Sequence, residues 1–467
     1  MRPAQGHPEV NRMNNFNSDL LAGKHRLHFI GIGGSGMYPL VQILAARGYE
    51  ISGSDVNEGS ILDAERAMGI QVYMGQRAEN VAGADLVIYS AAIHPDNPEL
   101  AAAVQQGIPT AERSVLLGYV AQLYPNPICI AGTHGKTTVT AMMTQVFEMA
   151  GKDPAAVIGG KLPLIDGYGK NGKGREIIIE ACEYARTFLH LAPSISVLLN
   201  IDADHLEYYG SMENLKDAFR RFCLLTTDTI VANTDDANTY DVVKTLDRHV
   251  RTIGIQCPAD FTARNICEYK PGFYSFDVME LTREYAHIQL SVPGYHHIYN
   301  ALAVCAVARL CRLSGDEVAR GIEAFTGAGR RFEIMGEVNG ITIADDYAHH
   351  PTELRATLTT AKELGFKEVW AVFQPYTFSR TEMLLDEFAE VLPIADHVVV
   401  TRIMGGREKE EDYTVKAEDL TAKMPGSVCV QTFEEVKEYI LSHAQPGDLV
   451  LTLGCGDLYK AAKMMLE

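Results

Sequence analysis

Little in this sequence suggests a membrane span, a disulfide scaffold or a nucleic-acid surface. No apolar run approaches the roughly 20 residues needed to cross a bilayer, and the first 24 residues are polar, without the apolar stretch of a signal peptide. The 9 cysteines are scattered, with neither a C-x-x-C pair nor metal-type spacing, which predicts free thiols in a reducing compartment. Positive charge is scarce: 41 Lys and Arg face 60 Asp and Glu, a formal charge of -19, whereas proteins that bind phosphate backbones carry a basic excess or stripe. A cytoplasmic protein with no nucleic-acid partner and no membrane insertion is therefore expected, and any anionic ligand must be met by local cations. Repeats of solenoid length and low-complexity segments are also missing.

What is present is length and alternation. A chain of 467 residues is too long for one ordinary domain. Apolar runs of strand length alternate with longer helical patterns, which predicts α/β architecture with parallel sheets. One set runs from "LHFIGIGG" to "LVIYSAAI" and closes near "LYPNP" at 123–127. A second runs from "PICIAG" through "EIIIEAC", "SVLLNID" and "TIVANTD". It then changes to the alternating "FYSFDVMEL" and "HIQLSVPG", an expected antiparallel patch, before a helix at about 298–313. The third set, "ITIADDYAHHP", "VWAVFQP", "HVVVTRI" and "DLVLTLGCG", follows "FTGAGRRFE" at 325–333. Most polar clusters fall at the ends of these strands, where open α/β sheets bind ligands.

Two glycine-rich turns stand out, each between a strand-like run and a helical pattern. In "ICIAGTHGKTTVTAMM" (128–143), the residues Gly132, Thr133, His134, Gly135, Lys136, Thr137 and Thr138 make a shortened P-loop, since the first glycine of the usual pattern would fall at Ile130. Its physics is intact: backbone N–H groups at a helix N-terminus cradle phosphate oxygens, Lys136 supplies a point charge and the Thr137 hydroxyl suits magnesium. In "FIGIGGSGM" (29–37), the run from Gly31 to Gly36 fits G-x-G-x-x-G, with Asp55 near the spacing of a ribose-binding acid. Alone, that motif points to a dehydrogenase or to a turn with no ligand. A helix N-terminus approached closely by backbone holds any diphosphate, however, so a UDP-linked substrate fits as well, and a P-loop has no task in hydride transfer.

Three further clusters carry ionisable groups. "EACE" (180–183) and "NIDADHLEYYG" (200–210) bring carboxylates and one histidine to strand ends, so that Glu180 and His205 could complete a magnesium site begun by Thr137. A lone histidine is more often structural. In "GRRFE", Arg330 and Arg331 are either solvated linker charges or a source of one cation for a transferring phosphoryl group. "DDYAHHPTE" (345–353) is denser in acids, bases and ligands than a neutral loop requires.

Taken in order, "GIGGSGM", "SGSD", "AGTHGKTTVTAM", "NIDADH", "GRRFE", "DDYAHHPTE" and "FQPYTFSRT" strongly resemble the Mur ligases, over nearly the whole chain from Leu27 onward. The resemblance implies a three-domain fold. A tail of 1–24 would precede a Rossmann-like UDP-substrate domain (25–124), a central P-loop ATPase-like domain (125–328) and a Rossmann-like amino-acid domain (329–467). It implies ATP-dependent joining of L-alanine to the lactyl carboxylate of UDP-N-acetylmuramate through an acyl phosphate. Gly33, Ser35, Gly36, Asp55 and Ser90 would hold the UDP substrate, and Lys136 the β- and γ-phosphates. Thr137, Glu180 and His205 would hold magnesium, with two ions implied. His296 and Asn300 in "GYHHIYN" would meet adenine, Asp346 the ribose and Arg331 the γ-phosphate. Tyr347, His349 and Arg380 would surround the incoming amino acid. A related family member that attaches L-Ala-γ-D-Glu-diaminopimelate to the same nucleotide sugar for recycling shares most of these motifs and is the alternative reading.

Several positions depart from the family's pattern. "EACEYARTF" keeps Glu180 and Glu183 but loses other carboxylates, Thr377 stands where many relatives carry arginine, and Gln76 stands where histidine is frequent. Phe219 falls where several sister ligases carry a carbamylated lysine that helps bind a second magnesium.

Overall fold

The computed structural model describes residues 20–406 and 408–467. It contains three sheets. The first is all parallel: Arg26–Ile30 lies at its centre between Glu50–Asp55 and Leu86–Tyr89, with Gln71–Met74 and Thr110–Glu112 outside them. This is the arrangement of a doubly wound fold, in which the chain leaves the middle of the sheet first to one side and then to the other.

The second sheet has ten strands. Its middle is parallel, with Asn126–Ala131 flanked by Glu176–Glu180 and Ile195–Leu198, then Thr229–Asn233 and His249–Ile253. Ile177, Ile178 and Ile179 are fully enclosed, as expected of a strand covered on both faces. Beyond His249–Ile253 follow Phe261–Lys270, Phe273–Glu280 and Arg283–Gln289, hydrogen-bonded in sequence order. Phe261 pairs parallel with Ile253, whereas the two-residue links after Lys270 and Glu280 are short enough only to reverse the chain, so the expected antiparallel patch has one more strand than the sequence suggests. The expected helix near 298–313 is His296–Leu310.

The third sheet is parallel except at one edge, where Glu333–Val338 pairs antiparallel with Ile341–Asp346. Leu449–Leu453 lies between Ile341–Asp346 and Val369–Phe373, followed by His397–Thr401 and Val428–Val430.

Packing divides the chain into two compact units. One runs to Arg264 and adds Val278–His287 and Tyr299–Ile322; the other holds Asn265–Asp277, Ile288–Ile298 and Glu323–Glu467. The first unit contains the first sheet and the parallel part of the second, joined by one continuous hydrophobic core that extends from Leu27 and Phe29 to Phe188, Phe219 and Phe222. Most of the expected tail, residues 1–19, lies outside the described residues, and Leu20 and Leu21 are buried in this same core. The second unit has cores on both faces of its sheet.

The helix Lys136–Met149 is buried along nearly its whole length. Its threonines remain satisfied because Thr140 Oγ1 donates to Lys136 O (2.8 Å) and Thr144 Oγ1 to Thr140 O (2.7 Å). All 9 cysteines are free, as expected. Among the described residues no helix is long and apolar enough to cross a membrane.

The first sheet's last helix, Arg113–Ala121, meets the single-turn helices of Tyr184–His190 through Gly118. A Cβ at Gly118 would fall inside the van der Waals sphere of the His190 carbonyl oxygen. Gly118→Ala should therefore destabilise the fold by about 1–3 kcal/mol through overpacking, read as a lowered unfolding midpoint. An unchanged midpoint would show that this contact yields freely.

Candidate functional site

At the carboxyl end of the first sheet the glycine turn is shaped by hydrogen bonds from the neighbouring strand. Ser54 O accepts the N–H groups of Gly31 (2.8 Å) and Ile32 (3.0 Å). Asp55 Oδ2 accepts from Gly33 N (3.0 Å), while Oδ1 accepts from Val56 N (2.8 Å) and Asn57 N (3.1 Å). The carboxylate read from spacing as a ribose contact thus also ties the turn to its neighbouring strand. Gly33 is required here, because a Cβ would press on Leu62 and lie 3.1 Å from Asp55 Oδ2. Ser90 Oγ would lie 3.9 Å from a Cβ on Gly31, and Ser35 is exposed on the turn.

Sequence reading missed one cation. The Arg113 guanidinium would lie 3.4 Å from a Cβ on Gly36. The available signal was a basic residue opening a helix, Arg113–Ala121, immediately after a strand. The helix dipole disfavours a cation there unless an anion shares the site. Gln76 also finds an account: its Oε1 accepts from Asn97 Nδ2 (2.6 Å), and Asn97 Oδ1 is then presented to Glu99 N and Leu100 N as the cap of the helix Pro98–Gln105.

The second glycine turn, residues 132–137, is gripped by the segment after Ile195–Leu198. Asn200 O accepts from Thr133 N (3.0 Å), Asn200 Oδ1 accepts from His134 N (2.8 Å), and Asn200 Nδ2 donates to His134 O (3.1 Å). Thr133 Oγ1 accepts from Asp202 N (2.9 Å), and His134 Nε2 lies 3.0 Å from Asp202 Oδ2. Gly135, at φ 85, would bring a Cβ within 3.1 Å of Asn300 Oδ1, which places Asn300 directly over the turn. His296, one helical turn earlier, is exposed and belongs to the second unit.

Lys136 Nζ donates to Gly132 O (2.6 Å), Thr133 O (3.0 Å) and Glu183 Oε1 (3.0 Å). Burial pulls its pKa down, but Glu183 together with Cys182 and Glu180 more than offsets this, and the ammonium is held above the usual lysine range. Thr137 Oγ1 donates to Glu180 Oε1 (3.0 Å), while Glu180 Oε2 accepts from Gly159 N (2.8 Å). Two oxygen donors, one of them a carboxylate, therefore adjoin each other at a helix N-terminus, a donor set that fits magnesium. His205, at φ 56, opens the short helix Leu206–Tyr209 and meets the Tyr184 ring edge-on at 4.9 Å. Phe219 is fully enclosed, with its ring edge-on to Phe188 at 5.2 Å, and cannot reach a metal.

In the second unit the two arginines of "GRRFE" separate in role. Arg330 Nε donates to Asp345 Oδ2 (2.9 Å) and Nη2 to Gly454 O (2.7 Å), and its guanidinium lies between the rings of Tyr347 (4.9 Å) and Tyr459 (4.8 Å). It is a structural clamp. Arg331 lies over the Tyr347 ring at 5.0 Å and near Asp346. Asp346 accepts from Ala348 N and Phe332 N, both at 2.7 Å; burial raises its carboxyl to about 6 despite the lowering by Arg331 and these N–H groups.

His349 sits edge-on to Tyr347 at 5.6 Å, with Nδ1 3.0 Å from Tyr347 O and 3.2 Å from Glu353 Oε2. Arg380 rides on the short helix Phe378–Met383, capped by Thr377 Oγ1, which accepts from Arg380 N (3.4 Å). Thr377 thus supports Arg380 through the backbone instead of adding a cation of its own. Burial pushes the Cys455 thiol up to about 12, against a lowering by the Arg380 charge.

Comparison with known proteins follows the same order along the chain. The family model "Mur ligase family, catalytic domain" matches residues 26–125, "Mur ligase middle domain" matches 130–308, and "Mur ligase, glutamate ligase domain" matches 330–456. The UDP-N-acetylmuramate--L-alanine ligase of Alkaliphilus metalliredigens is 40% identical over 455 residues, 97% of this chain and 99% of its own. That of Acetivibrio thermocellus is 41% identical over 450 residues, 95% of this chain and 96% of its own. Among solved structures, UDP-N-acetylmuramate-alanine ligase MurC from Thermotoga maritima superposes with a TM-score of 0.80 at 28% identity, covering 94% of this chain and 98% of that one. With both glycine turns in place and homology running through all three sheets, the chain belongs to the Mur ligase family.

Proposed function

We propose that this chain joins L-alanine to the lactyl carboxylate of UDP-N-acetylmuramate in peptidoglycan precursor synthesis, consuming ATP through an acyl phosphate and releasing ADP and phosphate. The observation that carries this reading is the presence in one compact unit of two separate anion-binding turns, Gly31–Gly36 and Gly132–Thr137, in a chain whose near-full-length relatives bear the name of that ligase. Two turns suit two phosphorylated ligands. Attachment of a preformed tripeptide has weaker support, since the murein peptide ligase of Psychrobacter arcticus shares the fold at 23% identity.

In this reading 25–124 holds the UDP substrate, 125–328 the ATP and 329–467 the amino acid. Gly33, Ser35, Gly36, Asp55 and Ser90 meet the diphosphate sugar, with Arg113 as an added cation. Backbone N–H groups from Gly132 to Thr138 cradle ATP, and Lys136 turns from Glu183 toward the β- and γ-phosphates as charge develops. Thr137, Glu180 and His205 would hold magnesium, with two ions expected, and bound magnesium neutralises charge on phosphate oxygens. Arg331 meets the γ-phosphate, Asp346 the ribose, and His296 and Asn300 the adenine. Tyr347, His349 and Arg380 surround the amino acid, whose amine attacks the acyl carbon to displace phosphate. The cytoplasm, where free thiols persist, is the proposed compartment.

The amine is tested by phosphate release with UDP-N-acetylmuramate and each amine in turn. L-alanine should be used best, with glycine and L-serine reduced by about 10–200-fold, because one methyl or hydroxyl changes pocket affinity only modestly. Preference for L-Ala-γ-D-Glu-diaminopimelate would transfer the chain to the recycling reaction.

Lys136→Ala should abolish turnover and weaken ATP binding. Arg331→Ala should lower turnover more than it weakens ATP binding, since its contact matters most as charge moves onto the transferring group. Steady-state kinetics alongside nucleotide titration separates the two, and near-normal turnover in either variant would remove that residue from its role.

With a buried phenyl ring at Phe219, no carbamate can form at that position. Activity should be the same in bicarbonate-free buffer as in buffer saturated with carbon dioxide. A loss restored by adding bicarbonate back would contradict this.

A further inference from the structure

Two tyrosines, one of them directly after Glu183, have no part in the assignments above. Tyr184 and Tyr208 are 37% and 46% exposed, with ring centroids 6.0 Å apart and planes tilted by 45°. The other aromatics of the same segments, Phe188, Tyr209, Phe219 and Phe222, are buried. Adjacent exposed aromatic faces of this kind mark a contact surface.

This pair is held in place from below. Tyr209 Oη donates to Glu183 O (2.5 Å), the Tyr208 ring packs edge-on against Tyr209 at 5.1 Å, and the Glu183 carboxylate pairs with Lys136. Immediately after Tyr184 the chain passes through Ala185 and Arg186 at φ 51 and φ 59, left-handed values that non-glycine residues seldom keep unless the position is functional. The strained turn directs the chain back to the core at Phe188 and leaves Tyr184 outside it.

We propose that Tyr184 and Tyr208 form the platform on which the pyranose ring of the N-acetylmuramoyl group rests. The inference builds on the reaction proposed above. If Lys136 faces the γ-phosphate, the lactyl carboxylate that receives it must lie beside the Lys136–Glu183 pair. An ether oxygen and one carbon link that carboxylate to the sugar ring, so the ring lies immediately next to it. Tyr184 directly follows Glu183, the partner of Lys136, and with Tyr208 presents exposed aromatic rings on that segment; the C–H face of a pyranose stacks on such rings. Adenine is the wrong occupant, because it sits at the far end of the triphosphate from the γ-phosphate.

The test compares two ligands, UDP and UDP-N-acetylmuramate, by titration calorimetry on the wild-type chain and on Tyr184→Ala, Tyr208→Ala, their double variant and Tyr184→Phe. Both positions are exposed, so thermal melts should overlay. Each alanine variant should weaken UDP-N-acetylmuramate about two- to tenfold, the double variant more, while UDP affinity is kept and Tyr184→Phe behaves as wild type. Equal weakening of both ligands, or unchanged affinity for UDP-N-acetylmuramate with lowered turnover, would overturn the platform; the latter would place Tyr184 behind His205 instead. Wild-type chain that binds UDP-N-acetylmuramate no better than UDP, or releases no phosphate with it and L-alanine, would sink the underlying reaction along with the platform.

Discussion

The ion pair between Lys136 and Glu183 organises the chemistry of the first unit. Glu183 is almost fully enclosed and Lys136 nearly so, with side-chain exposures of 3% and 14%. Removing one partner of such a pair leaves the other charge uncompensated, at a cost of about 3–5 kcal/mol. The pair therefore fixes both the phosphate turn, through the carbonyls of Gly132 and Thr133, and the divergent segment after Glu180, whose carbonyl at Glu183 receives Tyr209. In the proposed reaction, a phosphate oxygen arriving at the turn would compete with Glu183 for the same ammonium. The turn and the segment beside it are thus linked through one side chain.

An acidic chain can hold anionic ligands because the relevant fields are local. The formal charge of -19 is spread over the surface, where solvent and salt screen it within about 10 Å. At the two glycine turns, helix N-termini point their N–H groups outward, with Lys136 near one and Arg113 near the other. The second unit shows the same economy of cations. Arg330 is consumed by Asp345, Gly454 and two aromatic rings, and this clamp orients the backbone that presents Arg331.

Departures from the family's pattern find their reasons in local structure. Gln76 supports the cap of Pro98–Gln105 through Asn97, and Thr377 caps the helix bearing Arg380. Phe219 fills the core against Phe188, a use that a charged carbamate could not serve.

The order of apolar runs, two glycine turns and polar strand ends determined the α/β class, the central strands and the residues at the phosphate turn, because periodicity and turn chemistry are local properties. Edge strands such as Glu333–Val338 and Gly167–Lys170 escaped notice, since half-exposed strands carry no continuous apolar run. Only the tertiary structure decided that Arg330 is a clamp and Arg331 is not, that Asp55 ties down its own turn, and that Arg113, Asn200, Asp202 and Glu183 adjoin the two glycine turns. Those roles depend on which strand ends lie side by side. Contacts such as Asn200 to His134 or Arg330 to Gly454 are made between residues far apart in sequence, where no local pattern records them.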